Sequence, residues 1–411
     1  MGTLHNYITI LSMPIFNSLG SNYNFSFAVK ALLSRGNLKY SDELTKFLES
    51  KYGGKATLLY KAREAIFLAL KTINLPKNSV VAINGYTCYA VYKAIVDAGY
   101  KPEYLDIPKG DLNFSVEAFK LALEKNPAIK VLIIQNTLGY PCDMAAIESV
   151  CKEHSIILIE DLAHSIGAVY KDGREAGRLG DFTVLSFSQD KMIDAVSGGA
   201  LIIRNKKYQT VPIGAQEEVS RKQQIMDRCY PQLTYKIRNA YALGLGKITH
   251  KFYKSLGWLS KPMGESDEII LHKLPARYCG LVLYQFQNLG SNLKHRKEIA
   301  EIYAANLNSQ LLFKNPAPQI SGSTNLRFPI MVEDRNSLIS NLKNSGVYVS
   351  DIWYDAPVAP EKYMAMTNYN HNCPEAETIA KKMLNLPTHI NINAAQAKKL
   401  AEKINSWLES R

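Results

Sequence analysis

The sequence predicts an α/β protein, a large and mostly parallel sheet flanked by helices, with a smaller α+β domain after it. Two observations carry this. Between residues 55 and 205 short apolar runs alternate with helical patterns, as strand–helix crossovers require. Runs such as VLIIQ at 131–135 and IILIED at 156–161 are apolar without alternation, the pattern of strands covered on both faces.

The elements follow in order. Leu58–Tyr60 reads as a strand leading into a helix at 63–73, where Ile66, Ala69, Leu70 and Ile73 keep helical spacing. The spacing then predicts strand 80–84, helix 89–98, strand 102–106, helix 115–124, strand 131–135, helix 144–154 and strands 156–161, 182–187 and 200–204. Farther on, 289–309 and 336–345 read as helices, 325–332 as a strand and 394–408 as a closing amphipathic helix. The expected division is a large domain over 1–262 and a small one over 263–411.

The chain has 411 residues, 46% hydrophobic and 21% charged, an ordinary globular balance that excludes global disorder. Its six cysteines form no C-x-x-C pair and stand near no histidine cluster, so free thiols in a reducing compartment are expected and no metal site. No run approaches the ~18 apolar residues of a spanning helix, and the first 16 residues lack a basic start and a clean cleavage site. A cytoplasmic protein is expected, with contact at the inner face of the membrane as an option. The net charge of +12 suits anionic substrates or surfaces; nucleic acid is not expected, because no recognition motif accompanies the charge.

That charge is concentrated. Residues 221–261 hold nine Lys/Arg and one acid, Asp227, so 9 − 1 = +8 of it. Within them Leu233, Ile237, Tyr241, Leu245, Ile248, Phe252, Leu256 and Leu259 form one apolar stripe at helical spacing. The stripe packs on the protein's own core or on a second subunit, or it lies in an anionic membrane interface.

Ligands of such sheets bind beyond the carboxyl ends of the strands. There the sequence places Asp161, a helix cap or a partner for a heterocycle nitrogen. Some 25 residues on, Ser186 and Lys191 precede the glycine turn at 197–199. Lys191 alone reads as a solvated loop charge; with the acid, the serine and the glycines it reads as a site.

The runs E160-D161-L162-A163-H164-S165, G180-D181-F182, S186-F187-S188-Q189-D190-K191 and S197-G198-G199-A200 resemble the DegT/StrS family of pyridoxal-phosphate-dependent sugar aminotransferases. Y60-K61-A62-R63-E64-A65-I66, N84-G85-Y86-T87-C88-Y89, C373-P374-E375-A376 and L386-P387-T388-H389 extend the likeness over most of the chain. The resemblance implies fold type I and a homodimer with active sites at the subunit interface. It also implies transfer of an amino group from an amino acid, L-glutamate above all, to a nucleotide-linked keto-sugar; the basic stripe leaves a lipid-linked one open.

It further implies roles. Lys191 holds pyridoxal 5'-phosphate through its amine and acts as acid and base, Asp161 pairs with the ring nitrogen, and His164 bonds the phenolic oxygen. Arg63 and Glu64 at a helix start, with Ser186, receive the phosphate. A ring is expected over the cofactor at Cys88 or, with a register shift, at Tyr89. Lys273 is the basic residue that reaches the neighbouring subunit's phosphate. Two other readings stay open: elimination or dehydration on the same fold, against which Lys191 itself argues, and a membrane-associated or partner-binding protein without catalysis.

Overall fold

The structure is a computed structural model that describes residues 14–260, 268–313, 316–350 and 352–411. Its centre is a seven-stranded sheet in the spatial order Lys55–Leu59, Gly199–Ile203, Phe182–Ser186, Ile157–Asp161, Ile129–Ile134, Val80–Asn84, Lys101–Leu105. Gly199–Ile203 runs against both its neighbours, and the other six strands share one direction. The elements expected between 55 and 205 are present, with ends shifted by a few residues. Val80–Asn84, Phe182–Ser186 and Gly199–Ile203 are buried along their whole length, because helices cover both faces and two separate apolar clusters pack against the sheet.

A third cluster, from Ile299 through Trp407, gathers around the antiparallel pair Phe328–Met331 and Met383–Leu386 and the helix Ala394–Glu409. The expected division at 262/263 falls outside the described residues. On its C-terminal side, the helix Ala276–Gln287 packs Tyr278, Cys279, Leu281 and Val282 into a cluster of the large sheet.

The apolar stripe is not continuous. The helix Arg221–Asn239 buries Ile237, then the chain turns at Gly244, whose positive φ of 79° suits glycine, and restarts as the helix Leu245–Ser255. Packing on the protein's own core holds for Ile237 and fails for Leu245, Ile248, Phe252 and Leu256, which are exposed. The turn redirects the second helix, so one sequence periodicity serves two different faces.

Candidate active site

The carboxyl ends of three parallel strands open on one cavity of about 560 Å³. Ile157–Asp161 delivers Asp161, Phe182–Ser186 delivers Ser186, and Ile129–Ile134 is followed by Gln135; all three side chains line it. The loop after Ser186 brings in Ser188 and Lys191, and Cys88, Ala163 and His164 complete that wall.

Three groups set the electrostatics. Asp161 is buried and accepts from the Ala163 N–H at 2.9 Å; burial pushes its carboxyl up to about 6, against the pull of Lys191. Burial also holds the Lys191 amine below its ordinary value, and the Arg327 charge adds to this while Cys88, Asp161 and Asp190 oppose it. His164 accepts the Leu138 N–H at Nδ1, 3.1 Å away. Burial, with Lys191 and Arg327, keeps the ring neutral. The hydrogen then sits on Nε2, and His164 is a donor there. Trp353 stacks on His164, ring centroids 5.2 Å apart and planes 20° off parallel. Lys191 Nζ lies 4.5 Å and the Arg327 guanidinium 5.0 Å from the Trp353 centroid.

Opposite stands the start of the helix Ala62–Ile73. Lys61, Ala62 and Arg63 line the cavity, and no side chain caps this helix, so its first N–H groups and dipole favour an anion. Gly199 keeps the spot open: a Cβ there would stand 2.7 Å from the Ala62 nitrogen. Lys61 donates to Ser197 Oγ at 3.0 Å, and burial lowers its amine to about 8. The result is a carboxylate, a neutral imidazole and a buried amine on one side, and an anion cradle with two cations on the other.

Comparison with known proteins places the chain in a family. The sequence matches the DegT/DnrJ/EryC1/StrS aminotransferase family over residues 32–238 and 270–405. The chain belongs to that family. It is 24% identical to GDP-perosamine synthase of Escherichia coli O157:H7 over 385 residues, 92% of each chain. It is also 24% identical to a UDP-4-amino-4,6-dideoxy-N-acetyl-beta-L-altrosamine transaminase of Campylobacter jejuni over 381 residues, 90% of this chain and 89% of the other. Among solved structures, DesV of S. venezuelae superimposes with a TM-score of 0.69 at 18% identity, covering 93% of this chain and 95% of that one. The chain is an aminotransferase of fold type I.

Within this aminotransferase site, Lys191, Asp161, His164, Ser186, Arg63 and Cys88 come together around the cavity. Three expected residues do not line it. Glu64 sits on the far side of its helix turn, where its carboxylate accepts the His272 N–H at 2.9 Å and faces His272 Nδ1 at 3.2 Å. Tyr89 stacks instead on Tyr363, centroids 4.6 Å apart; as the first residue of the helix Tyr89–Asp97 it points away while Cys88 faces inward. Lys273 is exposed, its N–H bonded to the Glu217 carbonyl, outside the cavity of its own chain. Trp353 and Tyr354 bring aromatic rings to the cavity wall, from a loop more than 250 residues from Cys88, and no local signal announces them. Gln135, at the tip of an expected strand, was findable by the rule that found Asp161.

The loop bearing Lys191 is held by a residue outside the cavity wall. Asp194 accepts from the Tyr23 hydroxyl (2.5 Å), Asn22 Nδ2 (3.1 Å) and the N–H groups of Asp190 (2.8 Å) and Val196 (3.1 Å). Asn22 also donates to the Lys191 carbonyl at 3.1 Å. Asp190 and Val196 have φ of 62° and 73°, costly conformations that such bonds maintain. Asp194→Ala leaves several buried donors unpaired and is expected to lower unfolding free energy by about 2–4 kcal/mol. Chemical denaturation checks this, and the variant should also lose turnover while Asp194→Asn recovers part of both.

Proposed function

We propose that this aminotransferase uses pyridoxal 5'-phosphate to move an amino group from an amino acid, L-glutamate first among candidates, to a nucleotide-linked keto-sugar. The observation that carries the reading is the convergence of Lys191, Asp161 and His164 on a cavity that faces an uncapped helix start. The names of the relatives support the sugar side, and the basic balance of the chain suits a diphosphate-bearing acceptor.

The residues fit the cofactor. Asp161 has its carboxylate turned to the cavity with one protein donor, the Gly199 cradle excludes side chains from the helix start, and the buried Lys191 amine is lowered toward its nucleophilic form. Pyridoxal phosphate, when bound, supplies an electrophilic aldehyde and a ring that accepts the electron pair left by a departing proton. Lys191 would hold it, and its amine would carry a proton to and from the donor's α-carbon. Ionised Asp161 keeps the ring nitrogen protonated. His164 donates Nε2–H to the phenolic oxygen. Lys61, Arg63, Ser186 and the first N–H groups of the Ala62–Ile73 helix hold the phosphate. Trp353, rather than Cys88 or Tyr89, supplies the ring beside the cofactor. The enzyme acts as a homodimer in the cytoplasm, with Lys273 serving the partner's site.

The visible spectrum of the purified protein, with and without L-glutamate, tests this. The expected result is a band of lysine-bound cofactor that bleaches when glutamate converts it to the aminated form. A protein that shows no band even after pyridoxal phosphate is added would sink the reading, and a band indifferent to every amino donor would leave the cofactor but remove the transamination.

A further inference from the structure

The family match breaks between residues 238 and 270, and inside that gap stands the helix Leu245–Ser255. Its start abuts the preceding helix closely, since a Cβ on Gly246 would collide with the Ile237 carbonyl oxygen, and the Gly246 N–H bonds to the Ala240 carbonyl at 2.9 Å. Its sides divide sharply. His250 and Lys254 line the active-site cavity, together with Gly257, Leu259 and Ser260 just beyond. Leu245, Ile248, Phe252 and Leu256 recur on the opposite side at steps of three and four, as one ridge on a helix. That ridge is bare: Leu245 is 60%, Ile248 69% and Phe252 56% exposed, and Leu256 is exposed with them. Single exposed apolar residues need no explanation; four on one helix face do.

The charge around the ridge says what covers it. Lys247 and Lys251 stand on the same helix off the ridge, Lys254 on its cavity side, and no acidic residue occurs between Asp227 and Glu265. A second copy of the chain packing ridge to ridge about a two-fold axis would set these lysines against their own copies. An anionic bilayer instead complements both parts, apolar residues entering between headgroups and lysines meeting them, at about fivefold in affinity per lysine. No described helix is long and apolar enough to cross a membrane, so the contact is one of surface.

We propose that the helix Leu245–Ser255 docks this enzyme on an anionic lipid surface, its apolar ridge toward the bilayer and its opposite side, with His250 and Lys254, toward the active-site cavity. The orientation toward substrate rests on the aminotransferase reading; the docking itself does not.

Sedimentation of the full chain, loaded with pyridoxal phosphate, with phosphatidylcholine vesicles with and without phosphatidylglycerol tests it. The protein is expected to pellet with the anionic vesicles and less so as salt rises. The double variant Ile248→Ser, Phe252→Ser is expected to bind at least about tenfold more weakly. Both side chains face solvent, so the fold and the glutamate-induced spectral change should be unaffected, which separates failure of docking from failure of the enzyme reading. Wild-type protein that stays in the supernatant overturns the proposal, as does equal pelleting with neutral vesicles or a double variant that pellets like wild type. A fall in oligomeric state of the double variant, read by light scattering, also overturns it and gives the ridge to a second copy.

Discussion

Lys191→Ala is expected to lower both half-reactions by about four orders of magnitude or more. Two separate contributions vanish together: the nucleophile that holds the cofactor, and the base at the donor's α-carbon, whose proton transfer alone accounts for roughly 10²–10⁴. The loss should not come from misfolding. The Lys191 carbonyl, which Asn22 holds, survives the substitution. Removing a buried amine whose burial disfavours its charged form should leave the thermal midpoint unchanged or raise it. Lys191→Arg sharpens the test, because a guanidinium keeps the charge beside Trp353 and Asp161 but is neither nucleophile nor base at neutral pH. Single-turnover kinetics with L-glutamate check both variants. Turnover in Lys191→Ala within tenfold of wild type would remove Lys191 from the chemistry, and recovery in Lys191→Arg would reduce it to a positioning charge.

The residues that could be read in advance share a physical reason. Asp161 and Ser186 stand at the ends of strands whose unbroken apolar character is visible locally, and Lys191 follows one of them within five residues, so periodicity points to these strand ends while the family resemblance supplies the roles. The sheet order required more, but the alternation of strands and helices already restricted it to a mostly parallel arrangement. What escaped depends on chain segments meeting from afar. Trp353 reaches His164 from the C-terminal part, and His250 and Lys254 arrive on a helix whose direction is fixed by the turn at Gly244. A single stripe drawn from 233 to 259 could not show that half of it faces inward and half outward, because helical spacing is preserved across a turn that changes the axis. Glu64 and Tyr89 were misplaced for a related reason: each lies one residue from a side chain that does face the cavity, Arg63 and Cys88, and at a helix start one residue is about 100° of rotation.

Asp161→Asn makes the next largest change expected, and it should act in opposite directions on activity and stability. The amide has the shape of the carboxylate and can still accept the Ala163 N–H, but it carries no charge to keep a ring nitrogen protonated. A loss of about 10³-fold in turnover, or about 4 kcal/mol of transition-state stabilisation, is expected. Stability should move the other way. Burial raises the Asp161 carboxyl to about 6 in the folded protein without cofactor, above its value of about 3.9 in the unfolded chain. The folded state therefore binds the proton more readily, and above pH ~6 the ionised, buried carboxylate costs on the order of 3 kcal/mol. That cost is relieved as pH falls from about 6 toward about 4. Apo Asp161→Asn should then be more stable than wild type at pH 7.5 and no more stable near pH 4, as measured by denaturant unfolding at the two values. Cofactor affinity gives the complementary curve. In wild type it should weaken as pH drops through 6 and the carboxylate takes its proton, while in Asp161→Asn it should be low throughout and lack that step. A variant with unchanged cofactor affinity and an unchanged pH profile would show that Asp161 serves as the cap its Ala163 bond suggests, and the partner of the ring nitrogen would have to be sought elsewhere in the cavity wall.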